Sequence, residues 1–90
     1  MTTLTLQSQT LPLVKSGLEL KRHALEFGLR RYGDRLDAFE QRYGFDSAAF
    51  ARKFNAGELG DEADWFEWQF LWESYQETQR QLDLLKTISL

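Results

Sequence analysis

Cysteine is absent from the 90 residues, which excludes disulfides, thiolate metal sites and cysteine nucleophiles. The absence fits a reducing compartment. There is one histidine, His23, so no multi-histidine metal centre can form. No apolar run approaches the roughly 20 residues that cross a bilayer. Residues 1–15 lack the basic start and apolar stretch of a signal peptide, so a cytoplasmic protein without a membrane partner is expected. The phosphate loop, HExxH and GxSxG patterns are all missing. The length suits one small domain, which buries only about 60% of its unfolded surface and is marginal as a lone monomer.

Aromatic side chains are what the sequence has in plenty. They make up 14% of it, including seven Phe and three Trp. Charge is abundant too, and it is divided along the chain. Residues 1–53 hold nine basic and six acidic side chains, whereas residues 54–90 hold two basic and eight acidic. Between Glu58 and Glu77 there is no Lys or Arg, and all three Trp fall there. Two readings follow: the halves fold together and neutralise, or the acidic stretch faces a partner. The net charge of -3 argues against direct nucleic-acid binding.

Periodicity predicts an all-α fold. Residues 2–8 alternate weakly, with Leu4 and Leu6 on one side, and suggest a short extended arm over residues 1–15. Such an arm is frayed, paired in a dimer, or added as a strand to a partner's sheet through Leu4 and Leu6. Pro12 ends any regular pairing and biases Leu11 to extended backbone. Ser16 with Glu19 reads as a capping box opening a helix over about 17–43. From Leu25 through Leu29, Tyr32, Leu36, Phe39 and Tyr43 the spacing is 4, 3, 4, 3, 4, a heptad seam, with Leu20, Ala24 and Phe27 widening it. Gly28 and Gly33 interrupt it and mark a close approach or a bend. Gly44 is a left-handed stop followed by the hydrophobic Phe45.

Asp46 or Ser47 caps a short helix over 47–55 carrying Phe50 and Phe54. Asp61 is the expected cap of a third helix over 62–86, with Glu62 and Asp64 at its positive end. Trp65, Trp68, Trp72, Tyr75 and Leu82 form its seam, with Phe66, Phe70, Leu71 and Leu85 to the sides. The expected architecture is an antiparallel, coiled-coil-like hairpin of two long helices over residues 16–90, joined by a short helical elbow. Two helical layers make a thin core, so a dimer or another partner is expected.

No residue set resembles a catalytic constellation, and the chain reads as non-enzymatic with no cofactor. His23 sits beside Arg22 on a helix edge, where a solvent-facing role outweighs general-base chemistry. The carboxylates at 58–67 lack the alternating oxygen ligands of a calcium loop, and helix capping accounts for Asp61 and Asp64. Arg22, Arg30, Arg31 and Arg35 alternate with Glu19, Glu26, Asp34 and Asp37, the pattern of a salt-bridged surface.

Phe50, Phe54, Gly57-Glu58-Leu59-Gly60-Asp61, Asp64 and Glu67-Trp68 make up a compact signature after a long helix ending Arg42-Tyr43-Gly44. Over residues 36–72 it resembles a family of short helical prokaryotic proteins regarded as antitoxin-like partners of small ribonuclease or nucleotidyl-modifying toxins. The resemblance implies a cognate toxin as partner. Its residues also serve as elbow and cap determinants, and no DNA-binding module accompanies them.

The expected function is therefore a protein-binding module that neutralises a small basic toxin. The contact residues would be Glu58, Asp61, Glu62, Trp65, Phe66, Trp68, Phe70, Trp72, Glu73 and Glu77. Carboxylates would occupy phosphate positions in the toxin, and the aromatics would act as desolvated anchors. The alternative is a self-associating helical adaptor or structural homodimer. A ribbon-helix-helix DNA binder fits poorly, because the first helix is too long and the arm carries no basic residue before Lys15.

Overall fold

A computed structural model describes residues 10–88, so the arm residues Leu4 and Leu6 lie outside the described residues. Among the described residues there are three α-helices and no strand: α1 (Thr10–Tyr43), α2 (Ser47–Asn55) and α3 (Ala63–Leu85). The long α1 packs along α3, and α2 packs against the start of α3. The molecule is thin, with extents of 58 × 24 × 20 Å. Its radius of gyration is 18.6 Å, against about 12 Å for a compact chain of this length.

α1 begins six residues inside the expected arm, at Thr10 rather than after Ser16. Pro12 is the reason the expectation misleads. In the first turn of a helix its missing N–H has no partner to lose, and its fixed φ suits the helix. Ser16 is then an interior helical residue and no capping box forms there. The other end follows the sequence closely. Gly44 takes φ +82°, and its N–H donates to the Glu40 carbonyl at 2.8 Å, closing α1 with a left-handed residue.

α2 forms where its local chemistry places it. The Asp46 carboxylate accepts the Ala49 N–H at 2.7 Å and caps the helix. α3 differs at its start. Glu62, not Asp61, is the N-cap residue, and no side chain completes that cap. Asp64 is in the first turn, but its carboxylate is tied to α1.

The core lies at the elbow end of the molecule. Leu36 and Phe39 of α1, Phe50 of α2, and Trp68 and Leu71 of α3 form one buried cluster. Trp68 is its centre. Its ring stacks on Phe50 at 4.2 Å between centroids, on Phe45 at 5.3 Å and on Phe39 at 5.4 Å. Its indole N–H donates to Ser47 Oγ at 2.9 Å. The Ser47 hydroxyl and backbone N–H both donate to the Glu40 carboxylate at 2.8 Å. One buried relay therefore links α3, the first residue of α2 and the last turn of α1.

Away from the elbow, burial thins. Leu18, Leu25 and Leu29 of α1 are only half-buried, and Leu82 is the one deeply buried hydrophobic side chain of the far half among the described residues. Leu20, Ala24 and Phe27 do not widen the seam toward α3 as expected; all three are exposed. They sit on a different side of α1, a third of a turn or more from the Leu18–Leu25–Leu29 line. At Gly33 the close approach is real: an added Cβ would lie 3.5 Å from Tyr75 of α3, an ordinary contact distance.

Two stability outcomes follow. Ser47→Ala leaves the buried indole N–H of Trp68 without an acceptor, and is expected to cost about 1–3 kcal/mol in chemical denaturation. Gly33→Ala fits the space beside Tyr75 and is expected to stabilise by up to about 1 kcal/mol, seen as a higher Tm. A lower Tm would mean that the helices approach more closely there than described.

Candidate protein-interaction surface

The aromatic residues of α3 divide into two sets by their position around the helix. Trp68 and Leu71 face the elbow core and are fully buried. Trp65 and Trp72 are half-buried, Trp65 against Tyr43 at 4.6 Å and Trp72 stacked on Tyr75 at 6.2 Å. Phe66 and Phe70 are 54% and 62% exposed. Trp68 is thus a core residue that presents nothing to a partner, while Phe66, Phe70 and, near the far end, Leu84 are the large apolar groups that α3 leaves in water.

Phe66 and Phe70 continue into Glu73 and Glu77 at spacings of 4, 3 and 4, so these four lie along one stripe of α3. All four are exposed. Phe70, Glu73 and Glu77 also line a shallow groove of about 380 Å³ with Tyr32, Ser74 and Thr78. Glu73 accepts a hydrogen bond from the Gln69 amide at 3.0 Å. Glu77 accepts from Arg80 at 2.6 and 2.8 Å and from Gln81 at 2.8 Å. The Arg80 hydrogen bond, then that of Gln81, pulls the Glu77 carboxyl down to about 2. It is therefore charged throughout the physiological range.

The remaining expected contact residues are not on this stripe. Glu58, Asp61 and Glu62 are exposed in the loop before α3 and its N-cap, with no ion pair of their own among the described residues. Trp65 packs into the elbow, and its indole N–H, though enclosed, has no hydrogen-bond partner there.

Neutralisation between the two halves of the chain is real but partial. Arg35 of α1 pairs with Glu67 of α3. Arg42 pairs with Asp64 at 3.0 Å, and the Tyr43 hydroxyl donates to the same Asp64 carboxylate. The Tyr43 hydrogen bond, more than Arg42, lowers the Asp64 pKa and in turn raises that of Tyr43. Both cross-helix pairs sit within little more than about two turns of the elbow. Glu73 and Glu77 have no α1 partner; Glu77 is paired with Arg80 of α3 itself, which leaves Glu73 as the carboxylate of the stripe with no ion pair among the described residues.

Glu40 and Ser47 are the residues that sequence reasoning missed. Ser47 is read from sequence as an alternative cap beside Asp46, and its place three residues after the stop glycine Gly44 is the available signal. Nothing in the sequence marks Glu40 as half-buried. Among the described residues no three His, Cys, Asp or Glu side chains gather as a metal site, and no helix is long and apolar enough to cross a membrane. Comparisons with protein-family models, curated proteins and solved structures find no match to this chain.

The Asp64 contact has a signed pH dependence. A carboxyl with a lowered folded pKa contributes stability that is present above its unfolded value, near 3.8, and is lost as pH falls through the folded value. Tyr43→Phe removes the leading cause of the lowering. NMR titration is expected to show the Asp64 pKa rising toward 3.8 in that variant. The stability lost below pH 4 is expected to shrink with it. An unmoved Asp64 pKa would mean the hydroxyl contact does not form.

Proposed function

We propose that this chain is a non-catalytic protein-binding module, an antitoxin-like protein that neutralises a small basic toxin of the ribonuclease or nucleotidyl-modifying kind. The observation that carries the reading is the stripe Phe66–Phe70–Glu73–Glu77: large apolar rings exposed beside carboxylates that α1 does not neutralise. A toxin acting on RNA or nucleotides carries a basic site for phosphate. Glu73 and Glu77 would supply negative charge to that site, and Phe66 and Phe70 the anchors that dominate interface energies. Trp68 and the signature residues around it serve the elbow that holds the stripe in place.

We further infer that α1 and α3 form an antiparallel, coiled-coil-like hairpin. Partners run in opposite order along the two helices. Arg42 and Tyr43 meet Asp64 and Trp65, Phe39 meets Trp68, and Gly33 meets Tyr75. Near the far end, Leu18 and Leu85 line one groove.

The test uses C-terminally tagged protein expressed in its native host. Wild type is expected to co-purify with one small basic protein in stoichiometric amount. Glu73→Lys with Glu77→Lys is expected to lose it at low salt while keeping its helical circular dichroism. Retention of the partner by the charge-reversed variant would overturn the reading.

A further inference from the structure

We propose that this chain self-associates by laying a second, uncovered stripe of α1 against the exposed stripe of α3 on another copy. α1 carries two apolar lines. One, through Leu18, Leu25, Leu29, Leu36 and Phe39, meets α3 of its own chain. The other runs through Leu13, Gly17, Leu20, Ala24, Phe27 and Arg31 at spacings of 4, 3, 4, 3, 4, and every one of these is exposed. Leu13 and Leu20 are each 73% exposed and Phe27 is 55% exposed. Leu13, Leu20 and Phe27, three large apolar groups seven residues apart on one line over about four turns, are more than scattered surface hydrophobicity.

Charge identifies the occupant. The cations on and beside this line, Lys21, Arg30 and Arg31, have no carboxylate partner among the described residues, whereas Arg22, Arg35 and Arg42 are paired. Another α1 laid on the line would set basic against basic. An acidic, apolar helix with the same spacing fits, and α3 presents one: Phe66, Phe70, Glu73, Glu77, Arg80 and Leu84, again at 4, 3, 4, 3, 4 and all exposed. Run antiparallel, the two lines match step for step. Leu13 meets Leu84 of the other copy, Phe27 meets Phe70, and Arg31, already over Phe27 at 5.8 Å, meets Phe66. Glu77 and Glu73 fall opposite Leu20 and Ala24, next to Lys21, and Gly17 leaves room for Arg80.

The chain cannot make this contact with itself, because its own α1 and α3 already meet through their other lines. The two lines point away from each other across the hairpin, so each copy meets one neighbour through its α1 line and another through its α3 stripe, a head-to-tail contact. The inference does not rest on the toxin reading and its test contains no partner. A partner bound to the α3 stripe would compete with the second copy.

The experiment is sedimentation of purified full-length protein over a range of concentrations, with three surface variants whose helicity is verified. Wild type is expected to grow in size as concentration rises. Lys21→Glu with Arg31→Glu, and Glu73→Lys with Glu77→Lys, are each expected to self-associate more than about tenfold more weakly, because each sets like charges together. Mixed in equal amounts, the two charge-reversed proteins are expected to co-assemble, since every contact between unlike copies pairs opposite charges again. Leu20→Asp, at the centre of an exposed line, is expected to be folded and monomeric. A wild-type monomer throughout, a Glu73→Lys/Glu77→Lys protein that still self-associates alone, or a mixture that stays monomeric would each overturn the proposal.

Discussion

The burial of Trp68 with its N–H satisfied is the constraint on which the rest of this structure depends. A thin, elongated chain cannot bury apolar area along its whole length, so the stabilising contacts concentrate where three elements meet. There one indole stacks on rings from the α1–α2 connection, α1 and α2 while donating to Ser47. An unsatisfied indole N–H in that position would cost about 1–3 kcal/mol, a large share of the margin of a small domain. The relay through Ser47 to Glu40 removes that penalty and fixes the angle at which α2 leaves α1.

That constraint also sorts the aromatic residues of α3. Once Trp68 points into the elbow, helical geometry sends Phe66 and Phe70 to another side. Glu73 and Glu77 follow them by spacing. Asp64, one turn before Trp68, and Glu67, the residue next to it, are brought against Tyr43, Arg42 and Arg35 and are neutralised there. The surface that remains is acidic and apolar because the core took the other residues. Structure and proposed interaction are two faces of one packing decision.

Local chemistry was legible in the sequence, and competing choices were not. The stop at Gly44, the Asp46 cap and the extent of α2 each rest on residues within four positions of one another, and each formed as read. The start of α1 did not, because Pro12 both ends pairing and opens helices, and only context decides between the two. The cap of α3 is Glu62 rather than Asp61, without a side-chain hydrogen bond, and Asp64 in the first turn is tied to α1. The phase of α3 was ambiguous because apolar groups at 65, 66, 68, 70, 71 and 72 cover several sides of the helix. Tertiary contact with Phe39 and Phe50 chose among them. The same ambiguity assigned Leu20 and Phe27 to the buried line of α1, where they are not.

Hydrogen exchange of the three Trp indole N–H groups, followed by NMR, tests the central claim most directly. The account predicts that the Trp68 indole proton exchanges only through global unfolding, at least as slowly as the backbone amides of Leu36 and Leu71. The half-buried Trp72 indole is predicted to exchange faster. A Trp68 indole that exchanges as fast as that of Trp72 would contradict the account, because the elbow would then be open to water.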